Sequence, residues 1–362
     1  MNEPKLMKGN EALAEAAIRA GCNAYFGYPI TPQSEILEYL AGEGRARGMI
    51  VLQAESEVAS INMVYGAAGA GARVMTSSSS PGISLMQEGI SYIAAAELPC
   101  LVVNVNRGGP GLGTIQPSQA DYFQSVKGGG HGDYRLIVLA PSSVQEMADL
   151  VYDAFDLADR YRNPVMILAD GALGQMMEKV AFRDYTPADH VPSKPWATTG
   201  KPKSRERNII TSLHIEPEKM EEINIRLQEK YRRIAAELTR CELFHTDDAE
   251  FLLVAYGLAA RIAKGAVEMA RERGIRAGLL RPVTLFPFPT EAIGALVPAL
   301  KGVLDVEMNM GQMVEDVRLA VDGRVPVKFF GRTGGIIPSP DEVLGALERM
   351  ADETVARHME AY

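Results

Sequence analysis

Short runs in which nearly every residue is apolar alternate along this chain with longer segments whose apolar residues recur every third or fourth position. The short runs read as strands buried on both faces of a parallel sheet, and the longer segments as the helices that cover it. Residues 10–21 form the first helical pattern, with Gly21 at its C-cap. Strands are predicted over 23–30, 48–53, 73–76, 100–106, 136–140 and 164–169, and helices over 83–97 and 144–161. A further helix starts at Glu57. Another begins before Ser34, where Thr31 is placed at or near the N-cap with Pro32 as the first helical residue. The serine run Ser77 to Ser80, ahead of Pro81-Gly82, reads as a loop whose hydroxyls satisfy their own backbone or a ligand.

The alternation breaks at 184–208, a proline-rich, charged stretch that reads as a linker or surface arm. Residues 216–237 follow as a strongly charged amphipathic helix, taken first as a solvated linker and second as a clamp on another subunit. From 250 the alternation resumes, with strands over 251–255, 276–280, 302–307 and 325–330 and helices over 259–273, 290–300, 312–320 and from Ser339. The fold class is therefore α/β, with two doubly wound open-sheet domains at 1–182 and 248–362, joined by 183–247.

Composition narrows the function. Apolar residues make up 47% of the chain, enough for sizeable cores, while a net charge of −9 and a pI near 5.3 argue against nucleic acid or an anionic membrane as partner. The N-terminus carries no apolar signal region, and no uncharged apolar run approaches the ~18 residues of a membrane span, so a cytoplasmic protein is expected. Cys22, Cys100 and Cys241 lie far apart with no C-x-x-C pairing. Neither a disulfide framework nor an iron–sulfur cluster is encoded in such a pattern.

Candidate chemistry concentrates between Gln53 and Glu88. A carboxylate pair, Glu55 and Glu57, sits where a strand turns into a helix, and ligands of open α/β sheets bind beyond such strand ends. Ala59, Met63, Gly66, Ala67 and Ala70 give that helix a thin-walled face that permits close approach, with Val58, Ala59, Ile61 and Met63 as the apolar setting of Glu57. Arg107 leaves the strand 100–106 into a glycine- and proline-rich loop that is not helical until about Gln119 and holds no P-loop pattern. Lys127 to Asp133 reads as a surface turn, and His131 as a turn residue rather than a catalytic base.

Glu57 with Ala59 and, nine residues on, Gly66-Ala67 resembles the pyrimidine-binding segment of thiamine-diphosphate enzymes. Together with Tyr28-Pro29-Ile30-Thr31-Pro32 and Arg107-Gly108-Gly109-Pro110, the chain resembles the alpha subunit of the 2-oxoacid:ferredoxin oxidoreductases over nearly its whole length. The resemblance implies a thiamine-pyrimidine-binding-like domain followed by a transketolase C-terminal-like domain. It implies an enzyme, active only with partner subunits, that oxidatively decarboxylates a 2-oxoacid to its acyl-CoA and carbon dioxide and passes electrons to iron–sulfur clusters. By the same resemblance Glu57, with Glu55 as fallback, holds the proton at the pyrimidine N1′, and Arg107 and Thr31 orient the substrate carboxylate. The resemblance also implies that Tyr28, Pro29, Ser80 and Gly82 line the cofactor. Enzymes of this kind hold magnesium and the diphosphate through Gly-Asp-Gly followed by a downstream Asn; Asp170-Gly171 is the nearest match here and lacks the asparagine. Thiamine diphosphate would therefore be shared with a beta subunit. Mg2+ and the iron–sulfur clusters would belong to partner subunits, ferredoxin-like or gamma and delta chains among them, with coenzyme A as co-substrate and a dimer of heteromers as the assembly.

The loop after Arg107 looks more like the branched-chain branch of that family than the pyruvate branch. It holds no arginine or lysine until Lys127, which favours a monocarboxylate whose apolar tail meets Leu112, Ile115, Tyr122 or Phe123. 2-Oxoglutarate or an aryl 2-oxoacid as substrate, and a non-catalytic assembly subunit, stay open as alternatives. Residues 307–312 read as structural or interfacial.

Overall fold

The stretches CLVVNVN and PVMILAD leave no residue exposed, and strands covered on both faces lie in the middle of a sheet. The computed structural model describes residues 3–360. Its first half runs β1 (Lys5–Lys8), α1 (Gly9–Arg19), β2 (Ala24–Gly27), α2 (Ser34–Tyr39), β3 (Ile50–Gln53), α3 (Glu57–Gly69), β4 (Val74–Ser78), α4 (Pro81–Ala95), β5 (Cys100–Asn106), α5 (Tyr122–Val126), β6 (Ile137–Leu139), α6 (Val144–Tyr161), β7 (Pro164–Asp170), α7 (Gly171–Gln175) and β8 (Met177–Val180). There follow α8 (Pro187–His190), α9 (Pro217–Leu238), β9 (Cys241–Phe244), β10 (Phe251–Val254), α10 (Gly257–Glu272), β11 (Ala277–Pro282), β12 (Thr284–Phe286), α11 (Thr290–Leu296), β13 (Gly302–Glu307), α12 (Met313–Val321), β14 (Val327–Gly331) and α13 (Pro340–Glu360).

Seven strands form the larger sheet in the order β12-β6-β7-β5-β4-β2-β3, and five form the smaller, β14-β13-β10-β11-β9. Each is parallel except at one edge, where β12 runs against β6 and β9 against β11. Helices on both faces make the two doubly wound sheets that the alternation predicted. The β5–β7 register sets Asn106 opposite Asp170, so the chain segments after these two strands leave the sheet at one edge. The candidate site lies at that edge. α6 follows the helical period closely: Ser143 caps it by accepting Glu146 N at 3.0 Å, and Val144, Met147, Val151 and Phe155 are buried beneath it.

Several elements differ from the sequence expectation. Thr31 is not an N-cap. The amide of Gln33 bonds the Ile30 carbonyl at 3.1 Å, so Thr31 and Pro32 are the central residues of a turn and the helix begins only at Ser34, with Gln33 as its cap. Ser77 and Ser78 extend β4 rather than forming a loop. Residues 217–238 are no solvated linker: Ile223, Leu227, Tyr231 and Ile234 of α9 are buried in the core of the larger sheet. Burying each such side chain is worth roughly 1.5–3 kcal/mol, which holds the charged helix down. The short strands β1, β8, β9 and β12 were not predicted, and β12 carries the larger sheet across the linker into residues 248–362.

The segment 184–215 runs over the surface as an arm and is latched by charge. Buried Arg73 donates from Nε to Asp159 at 2.8 Å and from Nη2 to Asp156 at 2.7 Å. The arm answers with Lys194 on Asp159 at 2.7 Å and His190 on Asp156 at 3.0 Å. Among the described residues no helix is long and apolar enough to cross a membrane.

Candidate active site

Ser56 begins α3 by accepting the Ala59 amide at 3.2 Å, which places Glu57 as the first helical residue, just beyond the end of β3. Glu57 is only 5% exposed, yet its carboxylate has no hydrogen-bond or ion-pair partner among the described residues. The space it occupies exists because residue 82 is glycine. A Cβ there would lie 2.0 Å from Ser78 Oγ and 2.5 Å from Glu57 Oε1. Ser78 Oγ and Ser79 Oγ are themselves buried without partners. Glu55, by contrast, lies exposed in the bend before the helix. The apolar setting predicted for Glu57 needs correction: of its helical neighbours Ile61 is buried, but Val58 and Met63 are 45% and 37% exposed, so this wall is open to the outside.

A second cluster gathers at the end of β5. Ser80 Oγ lies 3.2 Å from the Arg107 carbonyl, to which it donates, and 3.3 Å from Asn106 Oδ1; it accepts the Arg107 amide at 3.0 Å. Asn104 accepts the Ser80 amide and donates to Asp121 at 2.8 Å. Burial pushes the Asp121 carboxyl above the usual carboxylate range, with Ser80 and Asn104 pulling it back. The Arg107 guanidinium spends two of its five N–H donors inside the chain: Nη1 donates to the Thr31 carbonyl at 2.8 Å and Nη2 to the Leu112 carbonyl at 3.0 Å. Its Nε is buried without a partner. Thr31 is thus beside Arg107 as predicted, though it meets the arginine through its backbone, and its side chain lies on an exposed turn.

Tyr28 and Pro29 leave the end of β2 exposed to solvent. Behind them Tyr25 OH lies 2.8 Å from Ser77 Oγ, which donates to Gln33 Oε1 at 2.6 Å, and Gln33 Nε2 reaches the Tyr28 carbonyl at 3.4 Å. This buried polar chain fixes the turn that carries Thr31.

The loop after Arg107 is bound to the second sheet. Gln119 trades backbone and side-chain bonds with Met308 at 3.0 Å each, and Asn309 Nδ2 donates to the Gln119 carbonyl at 2.8 Å. Glu307 holds the other side of this contact. Its carboxylate accepts the amides of Gln312, Met313 and Val314 at 2.9, 2.9 and 3.1 Å and Asn309 Nδ2 at 2.7 Å, capping α12. Beside it, burial and then the Glu307 charge push the Asp305 carboxyl well above its usual range. Residues 307–312 are therefore an interface within the chain. Between the two loops opens a cleft of about 370 Å³ lined by Ser80, Arg107, Asp121, Asn309, Met310 and Thr333, among others.

The geometry brings Ser80, Arg107 and Thr31 into one cluster and Glu57 and Gly82 into its neighbour, with Tyr28 and Pro29 at the rim. It removes Tyr122 from the predicted substrate lining: this tyrosine is fully buried, donating to Asp316 at 2.7 Å, while Leu112 and Ile115 are exposed. Lys127 is paired with the same Asp316. Asn104, Asn106, Asp121 and Gln119 join the cluster without having been predicted, the two asparagines inside an apolar strand being the signal present in the sequence.

Parallel sheets with glycine-relieved, unpartnered polar groups at their strand ends make an open α/β fold that can take a ligand at that edge. A split-gene transketolase, solved as an inactive beta4 tetramer, superposes with TM-score 0.60 over 95% of this chain and 98% of its own, sharing the fold at 14% identity. Residues 15–240 match the family described as pyruvate flavodoxin/ferredoxin oxidoreductase, thiamine diP-bdg, and residues 249–343 match pyruvate:ferredoxin oxidoreductase core domain II. The chain belongs to the 2-oxoacid:ferredoxin oxidoreductase family. The ketoisovalerate oxidoreductase subunit VorB of Methanothermobacter marburgensis is 51% identical over 97% of this chain and 99% of its own length. The 2-oxoglutarate synthase subunit KorA of Methanothermobacter thermautotrophicus is 37% identical over 97% and 100%. A 2-oxoglutarate:ferredoxin oxidoreductase from Magnetococcus marinus, solved with 2-oxoglutarate, coenzyme A and succinyl-CoA bound, superposes with TM-score 0.86 at 26% identity; the match covers 96% of this chain and 65% of that one.

Proposed function

We propose that this chain is the alpha subunit of an oxidoreductase acting on a branched-chain or similarly apolar 2-oxoacid, and that it houses the pyrimidine half of thiamine diphosphate. The observation that carries the substrate is the 51% identity to ketoisovalerate oxidoreductase subunits, against 37% to 2-oxoglutarate synthase subunits over the same share of the chain. The residues fit the cofactor. Glu57 is buried without a partner, Gly82 leaves the space beside it, and Ser78, Ser79 and Asn106 each keep an unused polar atom. Bound there, the cofactor would supply the carbon nucleophile that attacks a keto group.

The chain's own residues supply the rest. Glu57 would hold a proton at the pyrimidine nitrogen, its carboxylate lying in the space that Gly82 leaves at the first turn of α4. Arg107 uses one N–H of each Nη on a carbonyl, which fixes the guanidinium and leaves the second N–H of each Nη and the unpaired Nε as donors for a substrate carboxylate. The exposed Val58–Met63 wall beside Glu57 suits closure by a beta subunit that brings Mg2+ and the diphosphate site. Iron–sulfur clusters on that or a ferredoxin-like, gamma or delta subunit would supply the electron acceptor and coenzyme A the acyl acceptor, in an assembly that would be a dimer of heteromers.

The test is to co-express the chain with its partner subunits and assay a panel of 2-oxoacids with coenzyme A and a low-potential dye. At low concentration 3-methyl-2-oxobutanoate should be oxidised faster than 2-oxoglutarate, and the reverse preference overturns the substrate. Full thiamine diphosphate occupancy in the isolated chain overturns the shared site.

A further inference from the structure

The opposite end of β5 carries a second, unassigned recess. Glu97 lies before the strand and Arg107 after it, so seven strand residues, roughly 20 Å, separate this place from the cleft. Two adjoining cavities of about 440 and 560 Å³ share Glu97, Arg162 and Arg226. Five cations line the smaller, Arg160, Arg162, Arg226, Lys230 and Arg233, against the carboxylates Glu97 and Glu229. Glu97 must serve two of them, Arg226 at 2.8 Å and Lys230 at 3.3 Å, and Arg160 is paired with Glu237 at 2.7 Å. Arg162 and Arg233 have no carboxylate at ion-pair distance among the described residues; Arg162 donates to the Glu97 carbonyl, and Arg233 lies over Tyr161. In a chain of net charge −9 this is a local surplus of positive charge. Burial, reinforced by the guanidiniums of Arg162 and Arg226, pushes the Lys230 ammonium down to about 8 although Glu97 opposes it. The larger cavity adds a different wall: Trp196, with Arg162 stacked 4.5 Å from its ring centre, and the side chains of Ile209, Ile210 and Ile223.

We propose that this recess binds a nucleoside polyphosphate, its phosphates on the cluster of Arg162, Arg226, Lys230 and Arg233 and its base against Trp196 and the isoleucines. Anionic oxygens match guanidinium forks, and a flat ring can stack on the planar Arg162 guanidinium that lies over Trp196. An acidic protein surface fits less well, because Lys230 is only 8% exposed and sits at the bottom of a concave recess that a small ligand can enter. The recess is walled by the end of α4, the C-cap of α6, the arm at Trp196 and α9, so a ligand there clamps the arm to the body. Its distance from the cleft makes it a regulatory site rather than a substrate site.

Trp196 is the chain's only tryptophan, so the fluorescence of the full chain reads this recess directly. ATP and, separately, inorganic tripolyphosphate are titrated at about 0.1 M salt, with calorimetry as the second readout. ATP should bind saturably, tripolyphosphate more weakly, and the Arg226→Ala/Arg233→Ala variant at least roughly tenfold more weakly than the unaltered chain. Both arginines are exposed, so the variant should fold; if it does not, the salt dependence of the unaltered chain decides, and an affinity independent of salt overturns the proposal. Absence of saturable ATP binding, equal affinity in the double variant, or tripolyphosphate binding as tightly as ATP would each overturn it. Capture of polyglutamate without ATP binding would also overturn it, in favour of a protein-docking surface.

Discussion

Gly82 decides where Glu57 can be. Alanine at this position would force its methyl against Ser78 Oγ and Glu57 Oε1, both held by backbone that is buried in β4 and α3. Overpacking of this kind costs roughly 1–3 kcal/mol, and relief must come from moving the glutamate. Gly82→Ala should therefore lower the thermal midpoint and, in the assembled enzyme, thiamine diphosphate retention, both read by calorimetry with and without added cofactor; retention unchanged would place the cofactor elsewhere. Glu57→Gln keeps the shape and removes the acid. It should leave assembly intact on gel filtration and reduce 2-oxoacid oxidation by roughly 10² to 10⁴. Turnover near that of the unaltered enzyme would move the role to Glu55. The position of the glutamate was legible because a strand-to-helix junction puts its first helical residue at a sheet edge. The use of Thr31 through its carbonyl was not, since it depends on a turn closed by Gln33 and on Arg107, 76 residues away.

At the level of elements, the strongest periodicities were read to the residue: α6, β5 and β13 begin and end where their patterns do. Each carries its own signal, a cap, an amphipathic stripe or an unbroken apolar run. The short edge strands β9 and β12 carry none, because three or four residues become strand only when a neighbour offers its free edge. The charged composition of α9 concealed four core contacts spaced along one face. The loop around Asn309 depends on Glu307, whose four accepted hydrogen bonds no spacing rule announces. Glu307→Gln presents an amide where two of those donors point, and each unsatisfied buried group costs about 1–3 kcal/mol. Hydrogen exchange should then speed at residues 312–314, with urea stability reduced by a similar amount. Unchanged protection of these amides would show that α12 holds its own first turn.

The whole molecule is joined at Asp170 and again at β12. Asp170 caps α7 through Ala172 and Leu173 at 2.9 and 3.1 Å and also accepts the amide of Leu258 in α10, tying the larger sheet to the smaller. Burial pushes its carboxyl up to about 6. An unfolded aspartate titrates near 3.9, so the fold favours the protonated form. The stability this contributes is full below pH ~4 and is lost as pH rises through about 6, a change of roughly 2–3 kcal/mol. Asp170→Asn cannot titrate. The stability advantage of the unaltered chain over this variant should therefore shrink between pH 4 and 7 in denaturant melts, and a constant difference would show that Asp170 is ionised throughout. The strand β12 has a different consequence, one of timing. A ribosome delivers β7 more than a hundred residues before Thr284–Phe286, so at about 5–20 residues per second the nascent sheet waits roughly 6–20 s with its β6 edge bare. Until Thr284–Phe286 arrive, that open edge is the place where a newly made chain is exposed to wrong strand pairing or to a chaperone.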